Sequence, residues 1–153
     1  MIKFKIIYGE EGYSQCRDFR YDILHNEMNF EDGFEEADKN AYHIVGREDG
    51  VVMCSARLYK IGDYTFSIDK LAVRKEDRLQ YVADTMLRAL EDKAVSLVAA
   101  FIITQVPQNA WEFFEHEGYV SVDNIYEVNS IKYKKMKRDL TKIRGCRGGS
   151  CKW

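Results

Sequence analysis

Proline occurs once in 153 residues, histidine three times and cysteine four times, and each shortage removes a class of protein. A single proline rules out a proline-rich linker or recognition segment and leaves the helices and strands free of internal breaks. His25, His43 and His116 have no second ligand at metal spacing, so the sequence carries no metal-site signature. Cys16, Cys54, Cys146 and Cys151 are too few for a disulfide scaffold and read as reduced thiols in a cytosolic setting. No apolar run approaches the length of a membrane span, and the opening Met1-Ile2-Lys3-Phe4-Lys5 alternates instead of building a signal-peptide core. The 23 basic and 25 acidic side chains nearly cancel, so no overall field directs the chain to nucleic acid or to a membrane. The charge is uneven all the same. Residues 10–38 are acid-rich, whereas residues 132–152 carry nine Lys or Arg against Asp139 alone.

What remains is enough for one domain: with 46% hydrophobic residues the chain can bury a proper core but is short for two. The domain is expected over residues 1–140, followed by a basic, glycine-bearing, aperiodic tail at 141–153. The tail places Cys146 and Cys151 among cations, which raise thiol reactivity, at a spacing unlike that of a redox or zinc pair.

Periodicity orders the elements. Residues 2–8 read as a strand, 14–25 as a helix, and 26–40 as an acidic, aromatic loop with a short helix near 34–41. Two apolar runs at 41–47 and 51–59 flank Glu48-Asp49-Gly50, a strong hairpin signal. A turn at Ile61-Gly62-Asp63 leads into a strand at 66–73. There Ser67, Asp69, Leu71 and Val73 alternate with Ile68, Lys70 and Ala72. The period then changes to helical, with Val82, Ala83, Met86, Leu87, Leu90 and Ala94 on one stripe. The run Val95–Val106 fits a strand buried on both faces. With the preceding strand and helix it makes a parallel βαβ unit. A short helix at 108–117 closes on Gly118 as a left-handed cap, and strands at 120–128 and 131–137 finish the fold. The class is α/β (α+β): a mixed, mostly antiparallel sheet of about six to seven strands, with helices on both faces and one parallel pair. A strand feeding a helix through residues 74–81 also aims unpaired N–H groups and the positive end of a dipole at the strand's exit, an anion site.

Several strings carry a resemblance. Arg78-Leu79-Gln80-Tyr81-Val82-Ala83 resembles the Q/R-x-x-G-x-G/A loop of the GNAT superfamily of N-acyltransferases, with Tyr81 at the position of the central glycine. Phe34-Glu35-Glu36-Ala37-Asp38 with Ala41 and His43, and Cys54-Ser55-Ala56-Arg57-Leu58, are similar to strings of a bacterial GNAT subgroup. Asn109-Ala110-Trp111-Glu112-Phe113-Phe114-Glu115-His116-Glu117-Gly118-Tyr119 resembles the family's A-x-x-F-Y-E-x-x-G-F segment, with Phe114 at the usual tyrosine.

The resemblance implies the GNAT fold and transfer of an acetyl group from acetyl-CoA, a co-substrate, to a primary amine of a small molecule or peptide. It implies that the backbone of Leu71, Ala72 and Val73 pairs with the pantetheine. The pyrophosphate is expected on Arg78, Leu79, Gln80, Tyr81, Val82, Ala83 and Asp84, with Asn109 and Phe114 also at the cofactor. Asp69 is the candidate general base, or else an ion-pair partner of Lys70 or Arg57. Tyr119 is the candidate general acid, with His116 and Tyr126 as other donors. The acidic segment Glu27–Asp38 hints at a cationic acceptor, as polyamines and aminoglycosides are, and GNAT relatives often form homodimers. Two other readings stay open: a GNAT-fold binding or regulatory protein without turnover, and an acyl-homoserine-lactone-synthase-like enzyme, suggested by Arg20, Glu35, Asp38 and Arg57-Leu58.

Overall fold

The computed structural model describes residues 1–78 and 81–142; Leu79, Gln80, Cys146 and Cys151 lie outside them. One seven-stranded sheet runs in the order β1-β2-β3-β4-β5-β7-β6. Its strands are β1 Lys3–Tyr8, β2 Tyr42–Glu48, β3 Val51–Gly62, β4 Thr65–Val73, β5 Phe101–Pro107, β6 Val120–Val128 and β7 Ile131–Asp139. The helices are α1 Gly9–Tyr21, α2 Val82–Ser96 and α3 Trp111–His116. A π-helical turn at Asp22–Glu27 prolongs α1, and a 3-10 turn covers Glu36–Asn40. All strand pairs are antiparallel except β4 with β5. The main core packs α2 and α3 against the sheet through Met86, Leu87, Leu90, Ile68, Ile102 and Phe114. Smaller clusters lie under α1 and the π-helical turn.

Local chemistry accounts for most boundaries. The Asp49-Gly50 turn takes φ of +52° and +79°, the left-handed pair that joins two strands with a matched twist. Gly118, at φ +95°, caps α3, with Tyr119 N–H donating to the Phe114 carbonyl at 3.0 Å. Gly12 marks no turn. It sits inside α1, where a Cβ would fall 2.2 Å from the Ile7 carbonyl oxygen and 2.8 Å from the His43 ring. The run at 95–106 is also divided. Val95 and Ser96 end α2, Val98 turns at φ +65°, and β5 begins only at Phe101 with alternating burial. A continuous apolar string thus serves a helix end, a turn and a strand, which composition alone does not separate.

Two irregularities shape the centre. In β4, Ala72 pairs with Ser55 and Asp69 with Arg57, so Lys70 and Leu71 together oppose Ala56 alone. Lys70 takes φ +54°, a β-bulge that switches the side-chain faces. The unbroken alternation expected from the sequence is therefore corrected. Asp69 turns toward α1, while Leu71 and Val73 pack with Ile68 on the α2 side. The second irregularity is that β4 and β5 pair only at Thr65–Phe101 and Phe66–Ile102. Beyond this the strands part, pinned at the fork by Thr104 Oγ1 donating to the Ile68 carbonyl. Thr104 is 1% exposed, so Thr104→Val strands a buried carbonyl and should cost about 1–3 kcal/mol. For a domain of this size that lowers Tm by several degrees, measurable by calorimetry.

Candidate active site

The fork between β4 and β5 opens into a cleft of about 630 Å³, within the roughly 300–1,000 Å³ usual for small-molecule sites. One wall is apolar and belongs to the α2 and α3 side: Leu71, Val73, Ala83, Val106, Phe113 and Phe114. The opposite wall, toward α1, is charged and carries Glu31, Glu35, Arg57, Asp69 and Lys70. Beyond Phe66, the β5-facing edge of β4 has no strand partner among the described residues, so its main-chain groups border the cleft. That edge can accept an extended ligand as an added strand.

At the cleft's far end, α2 begins at Val82 and presents its unpaired N–H groups, a position suited to phosphate. Ala83 lines the cleft, whereas Val82 is buried in the core and Asp84 pairs with Arg88 at 2.8 Å. Tyr81 points away: it is 84% exposed and takes φ −78°, a backbone any residue adopts. Neither its ring nor its dihedral demands the glycine of the family loop. Tyr81→Gly should therefore weaken acyl-CoA binding slightly, by up to about fivefold, because glycine adds about 0.5–1 kcal/mol of backbone entropy to be lost. Isothermal titration checks this, and a tenfold gain in affinity would mean that the ring obstructs the loop. Arg78 folds inward, its Nε donating to the Val73 carbonyl at 3.0 Å while Nη1 pairs with Glu27. Ala72 is turned to the other face, buried against Ile23 and Leu24. Asn109 lines the mouth, its Nδ2 4.0 Å from Met28 Sδ.

The charged wall rests on a buried network. Arg57 Nε and Nη2 donate to the two Asp69 oxygens at 2.8 and 2.9 Å. Its Nη1 reaches Asp38 at 3.1 Å and Glu35 at 2.9 Å. Arg20 binds Asp38 at 2.9 Å and Asp32 at 3.1 Å, and Lys70 Nζ closes the chain at 3.2 Å from Asp32. Burial opposes the charge on Arg57, but its bonds to Asp69 and the nearby carboxylates outweigh that, and its affinity for its proton rises above the usual arginine value. Asp38 is wholly buried. Burial works against its ionisation, yet Arg20, the Glu35 N–H and Arg57 hold its carboxyl below the ordinary range.

Tyr59 stacks on Arg57, with the guanidinium carbon 4.7 Å from the ring centroid, and donates to Asp69 at 3.3 Å. Burial first, then Asp69, raises its phenol pKa. His43, fully buried beside Asp38, is pushed toward its neutral form by burial, as a core histidine is. Cys16 and Cys54 are buried free thiols whose pKa values burial drives to about 11 and about 12, which makes them inert.

Two sequence-derived candidates fall in different places. Asp69 borders the cleft in the embrace of Arg57. Tyr119 lies outside the cleft lining, 2% exposed, edge-on to Phe114 and donating to Glu91 at 2.7 Å. Phe114 forms part of the cleft wall. Periodicity did not indicate Tyr133, Tyr59, Lys70 or Glu31. Tyr133 faces the cleft from β7, opposite Pro107 of β5, and stacks on Tyr126 at 5.6 Å. Burial and then Glu31 raise its phenol pKa. Nothing local marks these positions, because the bulge and the packing of β7 beside β5 bring them together.

The sheet is thus forked between its parallel central strands, with a helix N-terminus at the fork's open end. The chain belongs to the GNAT acetyltransferase family: residues 7–140 match its Acetyltransferase (GNAT) domain. Solved structures share the fold. ElaA of Escherichia coli is 16% identical with a TM-score of 0.80, over 91% of this chain and 100% of that one. An acyl-CoA N-acyltransferase from Pseudomonas aeruginosa is 14% identical with a TM-score of 0.77, over 90% and 99%. The CoA-dependent acyl-homoserine lactone synthase BjaI, solved with SAM and isopentyl-CoA, is 12% identical with a TM-score of 0.77, over 92% and 84%.

Proposed function

We propose that this protein transfers an acyl group, acetyl in the first instance, from acyl-CoA to a primary amine by direct attack within the cleft. The unpaired inner edge of β4 carries this reading, because it offers Leu71 and Val73 backbone groups to a pantetheine arm while the start of α2 receives the pyrophosphate. The donor runs along the apolar wall and the amine enters from the charged wall. There Arg57 holds both Asp69 oxygens, with lone pairs left for a bridging water. The ammonium gives up a proton through that water to Asp69, and the amine lone pair attacks the thioester carbonyl. The tetrahedral adduct gives its second nitrogen proton to solvent and collapses to the amide with cleavage of the C–S bond. The departing thiolate takes a proton from the Tyr133 hydroxyl, which is regained from solvent.

A thermal-shift series tests the donor. At a hundredfold excess over Kd, acetyl-CoA should stabilise the fold by about 2.7 kcal/mol, a rise of several degrees. S-adenosylmethionine should give none. A response to no CoA thioester would leave the binding-protein reading in its place, and a response to S-adenosylmethionine the lactone-synthase one.

A further inference from the structure

The charged wall holds more negative charge than its cations balance. In the connected network Arg20, Arg57 and Lys70 face Asp32, Asp38, Asp69 and Glu35, four carboxylates against three cations. Glu31, on the rim, is met by the Asn129 amide at 3.5 Å and by no cation within ion-pair distance among the described residues. The acceptor therefore meets an excess of one to two negative charges, which suits a monocation. Beside this charge stands an apolar surface with no use for a hydrophilic amine: Leu24, Met28 and Phe30 on one bank, Val128 and Ile131 at the tip of the β6–β7 hairpin.

The first of these banks is held in place before any ligand arrives. The segment after the π-helical turn is tied by Met28 N–H to Ile23 O at 3.0 Å, Asn29 N–H to His25 O at 3.0 Å and Phe30 N–H to Leu24 O at 2.8 Å. Arg20 Nη2 holds the Gly33 carbonyl at 3.0 Å and Lys70 Nζ the Glu31 carbonyl at 3.5 Å. A wall fixed in this way spends little ordering entropy on binding.

Resting on the acyl-transfer reading above, we infer that the acceptor is a monocationic primary amine on an apolar body, as in an aralkylamine. Its ammonium sits between Glu31 and Glu35 and its body lies on Phe30. A polyamine or aminosugar fits less well, because its further charges and hydroxyls would lie desolvated against Phe30 and Ile131.

The test is calorimetric titration of the CoA-saturated protein with phenethylamine and with spermidine at one ionic strength. Phenethylamine should bind at least about tenfold tighter, since burying a phenyl group on an apolar wall is worth that much. Phe30→Ala should erase most of the preference, and Glu31→Gln should weaken both amines. Ile131→Ala is a second, milder variant that should narrow the preference, and the acetyl-CoA thermal shift serves as folding control for each. Equal or tighter spermidine binding overturns the inference, as does a preference that survives both wall variants, or failure of phenethylamine to bind while acetyl-CoA still stabilises the protein. Loss of the acetyl-CoA response itself instead overturns the acyl-transfer reading.

Discussion

Arg57→Met should destabilise the protein by about 3–5 kcal/mol at neutral pH and abolish measurable acyl transfer. Its side chain is 3% exposed and serves three carboxylates, one of which, Asp38, is wholly buried. Removing one partner of such a set leaves charge in a low-dielectric interior, which costs far more than the pair contributes. For 153 residues this is a fall in Tm of about 10 °C. Arg57→Lys does not rescue it, because an ammonium cannot hold both Asp69 oxygens and Asp38 at once.

The pH dependence has a definite sign. The folded-state pKa of Asp38 lies below its unfolded value, so its contribution is complete above the ordinary carboxylate pKa of about 3.9. It is lost as pH falls through the lower folded value. The gap between wild type and Arg57→Met is therefore widest at neutral pH and narrows below about pH 4, as Asp38 in the variant protonates earlier. Urea unfolding at pH 7, 5 and 4 measures the trend. A gap that is small at pH 7 and widens on acidification would refute the network's assigned role.

The element order was legible because each boundary has a local cause: Asp49-Gly50 at the first hairpin, Gly118 at the end of α3, and the change of period between Val73 and Val82. The fork could not be read from the string, since nothing local marks the parting of β4 from β5 after Phe66 and Ile102 or the bulge against β3 at Lys70. Lysine is not a residue that signals left-handed backbone. The bulge also decides the site. Unbroken alternation sets Asp69 beside Leu71, whereas the real strand turns Asp69 into the Arg57 network and leaves Leu71 for the donor wall. The motif strings fared as their chemistry allows. Ala83 lines the cleft, and Tyr81 differs from the loop pattern without strain because φ is negative there. Tyr119 is a candidate only as a stand-in for the tyrosine that Phe114 replaces, and it follows the cap at Gly118, which turns it back into the core toward Glu91. Tyr133 has no motif around it and reaches the cleft only because β7, last in sequence, pairs beside β5.

Tyr133→Phe should lower kcat by about 10²–10⁴-fold and change acyl-CoA affinity little. On the proposed mechanism the lost hydroxyl is the proton source for the thiolate. Since the Tyr133 pKa lies above that of an ordinary tyrosine, the phenol stays protonated through neutral pH and is ready to donate. Tyr119→Phe should do the converse. It removes the donor to buried Glu91 and costs about 1–3 kcal/mol of stability, while kcat stays within a few-fold of wild type. The leaving group separates a proton donor from a merely structural ring. An acyl donor with an arylthiol leaving group departs as a stable anion without protonation, so the Tyr133→Phe defect should shrink toward unity with it and remain full with acetyl-CoA. Equal losses with both donors would mean that the ring shapes the cleft and gives no proton. A large kcat loss in Tyr119→Phe with stability intact would return the role to Tyr119. The two variants and two donors thus assign the proton by a change in selectivity, which loss of fold cannot imitate.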